Sequence, residues 1–164
     1  MELSQRVEIP LAAEQVWQSL NDPAILKQCL PGCEVFEPIS ETEFNITMLA
    51  KVGPVKARFK GEIELKELNP PISYTLSGVG KGGVAGFIKG SAKVLLEEKK
   101  GEAVTLMTYS VKANVGGKLA QLGTRLVAGA TRKMANEFFT NFVRLICDDP
   151  DGTLEIKLET VEEV

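Results

Sequence analysis

The stretch Gly116-Gly117-Lys118-Leu119-Ala120-Gln121-Leu122-Gly123 constrains the fold more than any other part of the chain, because of what it joins. Ahead of it lies a nearly unbroken series of alternating segments. After it, a single apolar repeat of helical spacing continues toward Cys147. A helix of roughly 30 residues would be about 45 Å long at 1.5 Å per residue. That is too long to pack against one edge of a small sheet. The expectation is a long helix laid across a curved sheet, with room for a ligand between the two.

The segments before the hinge support this picture. Leu3 to Ile9 reads as a strand, and Ala12 to Leu20 as a short helix with Val16, Trp17 and Leu20 inward. Asp22-Pro23 suits a second helix start, with Asp as cap and Pro in the first turn. Pro31-Gly32 suits a turn. Phe44, Ile46, Met48, Ala50 and Val52 alternate with their neighbours. From Val55 the alternation is strict, with Ala57, Phe59, Ile63 and Leu65 on one face and Lys56, Arg58, Lys60, Glu62, Glu64 and Lys66 on the other. One dry face and one wet face mark an antiparallel sheet. Further strands are expected around Ile72–Leu76, Val84–Glu98 and Tyr109–Val115. The helix then offers Leu119, Leu122, Leu126, Ala130, Met134, Phe138, Phe142 and Leu145 as an apolar stripe. Its slim centre, Gly123 and Ala128-Gly129-Ala130, means either close packing on the sheet or a cavity. The fold class is α+β: strand, two short helices, several antiparallel strands, then a long helix.

The 164 residues, 44% of them apolar, suit one domain with a core. No apolar run reaches the roughly 18 residues of a membrane span, and the polar start, Met1 to Arg6, does not resemble a secretory signal. A cytoplasmic protein is expected. Its three cysteines, Cys29, Cys33 and Cys147, are an odd number and read as free thiols. With no histidine in the chain, a zinc site would lack its ligands, so no metal is expected. The commonest general base is also missing, as are Ser-His and Cys-His nucleophile pairs. Catalysis would fall to a carboxylate, Lys or Tyr, and no residue stands out as catalytic.

The net charge of −3 is unevenly spread. From Asp148 to Val164, seven carboxylates face Lys157 alone, a net of −6, which leaves the body at +3. A mildly basic body with an acidic tail points to self-docking or partner docking and not to nucleic acid. The reading is therefore a domain over residues 1–147 and an acidic tail over 148–164. In the tail, Leu154, Ile156 and Leu158 fit a strand, while Leu154, Leu158 and Val161 fit a helix equally well.

Gly78-Val79-Gly80-Lys81-Gly82-Gly83 fits G-x-G-x-x-G formally. A strand follows it where a nucleotide site needs a helix, so it reads as a glycine-rich hairpin. The hairpin tip is apolar, with Val84 and Phe87 flanked by Lys81 and Lys89. It suits either a pocket lid or a membrane contact. Lys118, Arg125 and Arg132 recur at seven-residue steps along one helix side. They form either a solvated face or a docking stripe for an acidic partner, anionic lipid or the tail.

Several of these segments, taken in order, resemble the family of carbon monoxide dehydrogenase G-subunits. They are Val16-Trp17 with Leu20, Leu30-Pro31-Gly32-Cys33-Glu34, Val55 to Gly61, Gly78 to Ala92, and Val115 to Gly123. The family sits within the START-like, birch-pollen-allergen-like helix-grip (SRPBCC) superfamily, and the resemblance covers roughly Met1 to Asp148. It implies a seven-stranded antiparallel sheet gripping the C-terminal helix around an apolar cavity. It also implies a non-enzymatic accessory role: binding a quinone or lipid and recruiting a molybdenum hydroxylase, such as carbon monoxide dehydrogenase, to the inner face of the cell membrane. No molybdopterin, flavin or iron–sulfur motif is present, so no cofactor is expected beyond a bound quinone or lipid. On this reading the cavity lining is Phe59, Leu76, Phe87, Tyr109, Leu122, Leu126, Ala130, Met134 and Phe138, with the Tyr109 hydroxyl orienting a polar head group. Taken singly, each of these residues suits an ordinary core better than a lining. Partner or membrane contact falls to Lys81, Val84, Lys89, Lys118, Arg125 and Arg132. The alternatives are a cyclase- or hydrolase-type enzyme using the same cavity, and a purely structural assembly factor with a filled core.

Overall fold

In a computed structural model, which describes residues 1–163, strand alternation governs most of the chain. β1 (Glu2–Ile9) buries Leu3, Gln5, Val7 and Ile9 on one side. Two short helices follow. α1 (Ala13–Leu20) buries Val16 and Leu20, and α2 (Pro23–Cys29) is capped by the Asp22 carboxylate, which accepts from the Ala24 amide at 3.0 Å. Six strands then run in sequence: β2 (Cys33–Pro38), β3 (Glu43–Val52), β4 (Val55–Asn69), β5 (Ser73–Lys81), β6 (Phe87–Glu98) and β7 (Thr105–Gly116). On β4 the dry and wet faces follow the sequence pattern: Phe59 is buried and Lys56, Arg58, Lys60, Glu62 and Glu64 are exposed.

The sheet is antiparallel and eight-stranded, in the order β2-β3-β4-β5-β6-β7-β1-β8. Seven strands were expected. The eighth, β8 (Lys157–Glu163), comes from the acidic tail and pairs with β1, setting Leu158 opposite Val7. β2, which the alternation does not mark after the Pro31-Gly32 turn, forms the other edge.

The terminal helix is not continuous. α3 (Lys118–Gln121) ends at Leu122, and α4 (Thr124–Ile146) begins after Gly123, whose φ of 90° and ψ of 154° only glycine adopts without strain. α4 has 23 residues and is about 35 Å long. The break also rotates the buried stripe. Val127, Ala128, Phe139, Phe142 and Val143 are buried, while Leu126 and Leu145 are more than 40% exposed. Lys118 therefore lies on a different helix from Arg125 and Arg132, so the three do not form one stripe.

Two apolar clusters result. The larger joins α1, α2, the α4 C-terminal half and β1, β5, β6 and β7, with Phe142, Val7 and Ile9 fully buried. The smaller gathers Phe59, Ala85 and Leu119 at the hairpin tips beside α3.

Candidate functional site

The site lies between the two clusters. The backbone of α4 comes closest to β3 on one side and to β1 and β8 on the other. In the sheet order, β4 to β7 lie between those flanks, so the helix bridges the middle of the concave face. Register explains why it does not settle there as a filled core. Ile63, Gly78, Gly90 and Ala113 form one cross-strand row, and Gly61 lies opposite Gly80 in the next. The sheet floor thus carries almost no side chains. Above it, α4 presents Ala128, Thr131 and Ala135 at helical spacing, which are also small. Ile63, Leu76, Ala92 and Ala113 face inward yet remain only half-buried. We take the span beneath α4, where these inward side chains stay half-buried under small helix residues, as the candidate apolar groove.

The glycines also shape the groove. A Cβ on Gly61 would collide with the Val79 carbonyl oxygen, and one on Gly90 would lie 2.9 Å from the Lys112 carbonyl. Strands approach closely there. At one end, a cavity of about 200 Å³ opens between β7 and the α3–α4 break, lined by Ala113, Val115, Ala120, Gly123 and Val127. A second depression, of about 320 Å³, lies away from the groove beside β1 and β8 and is lined by Arg6, Glu8, Lys157 and Glu159.

The residues expected to line a cavity separate into three sets. Leu76, Ala130, Met134 and Phe138 are half-buried around the central span, and Phe138 packs edge-on to Phe139 with ring centroids 4.8 Å apart. Phe59 and Leu122 belong to the small cluster at the mouth. The other three lie elsewhere. Phe87 pairs with Lys81 and Gly116 in the outward phase of β6, so its ring lies on the convex face. Leu126 reaches over Gly53 in the β3–β4 turn. Tyr109 is core: its ring stacks on Phe139 at 4.9 Å and its hydroxyl donates to Gln5 Oε1. Burial pushes its pKa up, so the hydroxyl stays protonated and committed, and it does not orient a ligand.

Gln5 has no mark in the sequence pattern. It is 1% exposed, and its amide also donates to Asn136 Oδ1 at 3.1 Å and to Thr160 Oγ1 at 3.0 Å. The glycine floor does have a sequence signal: Phe59-x-Gly61-x-Ile63, Leu76-x-Gly78-x-Gly80 and Ile88-x-Gly90-x-Ala92 put glycine in the inward phase of three strands.

Of the expected contact residues, Val84 is 82% exposed at the β5–β6 tip, Phe87 is 45% exposed, and Lys81 and Lys89 stand on the convex face beside them. Lys118 and Arg125 are exposed, and Arg132 pairs with Glu163 at 2.6 Å. Cys29, Cys33 and Cys147 are free, with burial raising all three thiols. Among the described residues, no helix is long and apolar enough to cross a membrane.

The sequence model of the CoxG family, the G-subunits of carbon monoxide dehydrogenase, matches residues 6–147. No curated protein matches in sequence. Among solved structures, a conserved protein from Geobacillus kaustophilus shares 28% identity over 97% of this chain and 99% of its own, with a TM-score of 0.85. A protein from Thermus thermophilus, 14% identical, covers 92% of this chain and 99% of its own with a TM-score of 0.67. The Zhui aromatase/cyclase from a Streptomyces species, 10% identical, covers 89% and 93% with a TM-score of 0.64. The last two share the fold alone. The chain belongs to the carbon monoxide dehydrogenase CoxG family and has the helix-grip fold.

Proposed function

We propose that this family member is a non-enzymatic accessory protein that carries an apolar molecule, a quinone or a lipid, in the groove beneath α4. It recruits a molybdenum hydroxylase such as carbon monoxide dehydrogenase to the inner face of a membrane. The observation that carries the ligand-binding part is the stand-off of α4 from a glycine-rich floor, which leaves inward apolar side chains half-exposed. Burying that surface against a ligand is favourable at about 25 cal/mol per Å². The floor and roof offer no ionisable group: the positions are glycine, alanine and aliphatic residues, and the Thr131 hydroxyl is spent on the Val127 carbonyl at 2.8 Å. A cyclase or hydrolase would need such a group, and a structural assembly factor would need a filled groove.

Membrane recruitment draws on the convex face. Register sets Lys51 opposite Lys56 and Lys60 opposite Lys81. Like charges directly opposite each other destabilise a sheet. Among the described residues none of these lysines, nor Lys89, forms an ion pair. Exposed Val84 and Phe87 sit at the same end. Lysines around an apolar tip suit an anionic lipid surface.

Titration with decylubiquinone tests the carrier reading through Trp17, the single tryptophan, whose ring lies 5.1 Å from that of Tyr74 in the core below the groove. Saturable quenching with one site per chain is expected. Linear, non-saturating quenching equal to that of free tryptophan would rule the groove out as a quinone site.

A further inference from the structure

We propose that β8 is a clasp over the groove: docked on β1 it ties the middle of α4 to the sheet, and its release opens the β1 side to the ligand. This rests on the carrier reading above and adds its regulation.

Two attachments converge on one helix face. Arg132 Nη1 lies 2.6 and 2.7 Å from the two carboxylate oxygens of Glu163. Four residues on, one helical turn away, Asn136 accepts from Gln5, whose amide also donates to Thr160 of β8. Arg132 and Asn136 flank Ala135 and follow Ala128 and Thr131, so the attachments fall where α4 spans the groove. Gln5 is saturated only while β8 is in place. When β8 leaves, one of its buried N–H groups loses its partner.

The clasp is built to let go. The tail root is fixed: the Asp149 carboxylate accepts from the Thr153 amide and hydroxyl and the Leu154 amide at 2.6–3.0 Å. Beyond it, Ile156 and Leu158 pack partly against the large cluster, while Glu159 to Glu163 are exposed. The clasp thus hangs from an anchored root and is held by its pairing with β1, the Gln5–Thr160 bond and an exposed ion pair, the last of which salt screens. The family's sequence match ends at residue 147, ahead of β8.

Stopped-flow quenching of Trp17 by decylubiquinone tests the proposal in wild type, Arg132→Glu, the charge swap Arg132→Glu with Glu163→Arg, and the neighbouring control Lys133→Glu. Loss of an exposed pair corresponds to about a two- to fivefold faster association in Arg132→Glu. The swap is expected to restore the wild-type rate and the control to leave it unchanged. Equal rates in wild type and Arg132→Glu, or a swap that restores nothing, would overturn the clasp. Hydrogen exchange across Val127–Ala135 and Lys157–Glu163 reads the clasp without any ligand. Faster exchange in both segments of Arg132→Glu, reversed by the swap, supports it, and unchanged exchange refutes it. If no variant, wild type included, shows saturable quenching, the carrier reading fails and the exchange data still decide the clasp.

Discussion

Replacing Ala92 with Phe separates a groove from a close-packed core by the sign of its effect. Ala92 faces inward on β6, half-buried, between Leu76 on β5 and Val111 on β7. If the space beneath α4 is open, a phenyl ring there buries apolar surface that Ala leaves wet. Full burial of such a side chain contributes about 1.5–3 kcal/mol, offset by roughly 1 kcal/mol of lost rotamer freedom. The net expectation is about 1 kcal/mol of added stability. If the helix is packed on the sheet, the same ring overpacks it and removes about 1–3 kcal/mol. The two cases therefore differ by roughly 2–4 kcal/mol, which is about 1 M or more in the urea midpoint at a typical slope. Urea unfolding followed by Trp17 fluorescence reads the stability, and decylubiquinone quenching reads the site. An open groove gives an unchanged or raised midpoint with affinity reduced at least tenfold, or about 1.4 kcal/mol. A midpoint lowered by overpacking, with ligand affinity intact, would refute the reasoning.

Three other expectations follow from the same structure. Tyr109→Phe leaves Gln5 Oε1 unpaired in the core and should lower stability by about 1–3 kcal/mol by urea unfolding, with quinone affinity nearly unchanged, because the hydroxyl does not face the ligand. Hydrogen bonds from Thr153 and Leu154 hold the Asp149 carboxyl below its usual pKa, so its contribution is complete above the ordinary carboxylate range near 4 and is lost as pH falls through the lowered value. The Leu154 amide should lose protection, measured against its intrinsic exchange rate at each pH, and Asp149→Asn should abolish that acid step. Phe87→Asp on the convex tip should weaken flotation with anionic liposomes relative to wild type while leaving quinone quenching intact, and equal flotation of the two would remove the tip from the membrane contact.

The strand pattern carried most of the fold because one face of the sheet is wet. The alternation from Val55 to Lys66 set β4 and its phase, and Asp22-Pro23 set the start of α2. The helix was harder to read. Leu119 to Leu145 keeps a plausible apolar spacing across Gly123, and spacing alone does not reveal that one glycine with φ of 90° resets the helical phase. This shift moved Leu126 off the inner face. The tail was ambiguous because its apolar residues fit two periods, and a hydrogen bond from Gln5, about 155 residues away in the chain, belongs to no local pattern. The slim helix centre leaves close packing and a cavity as alternatives, and spacing alone does not show what lies opposite it. Glycines within a strand suggest hairpins and bulges, and only cross-strand register shows Gly78 and Gly90 side by side. Phe87 was misplaced for a related reason: its phase depends on where β6 begins after the short turn at Gly83–Ala85.

Native mass spectrometry of the full chain purified from its own cells, followed by solvent extraction, tests the central claim most directly. A carrier gives a protein population heavier by one apolar molecule, with a quinone or lipid recovered in the extract and lost in Ala92→Phe. A single unliganded mass under conditions that preserve non-covalent complexes, with decylubiquinone also failing to bind, would contradict it.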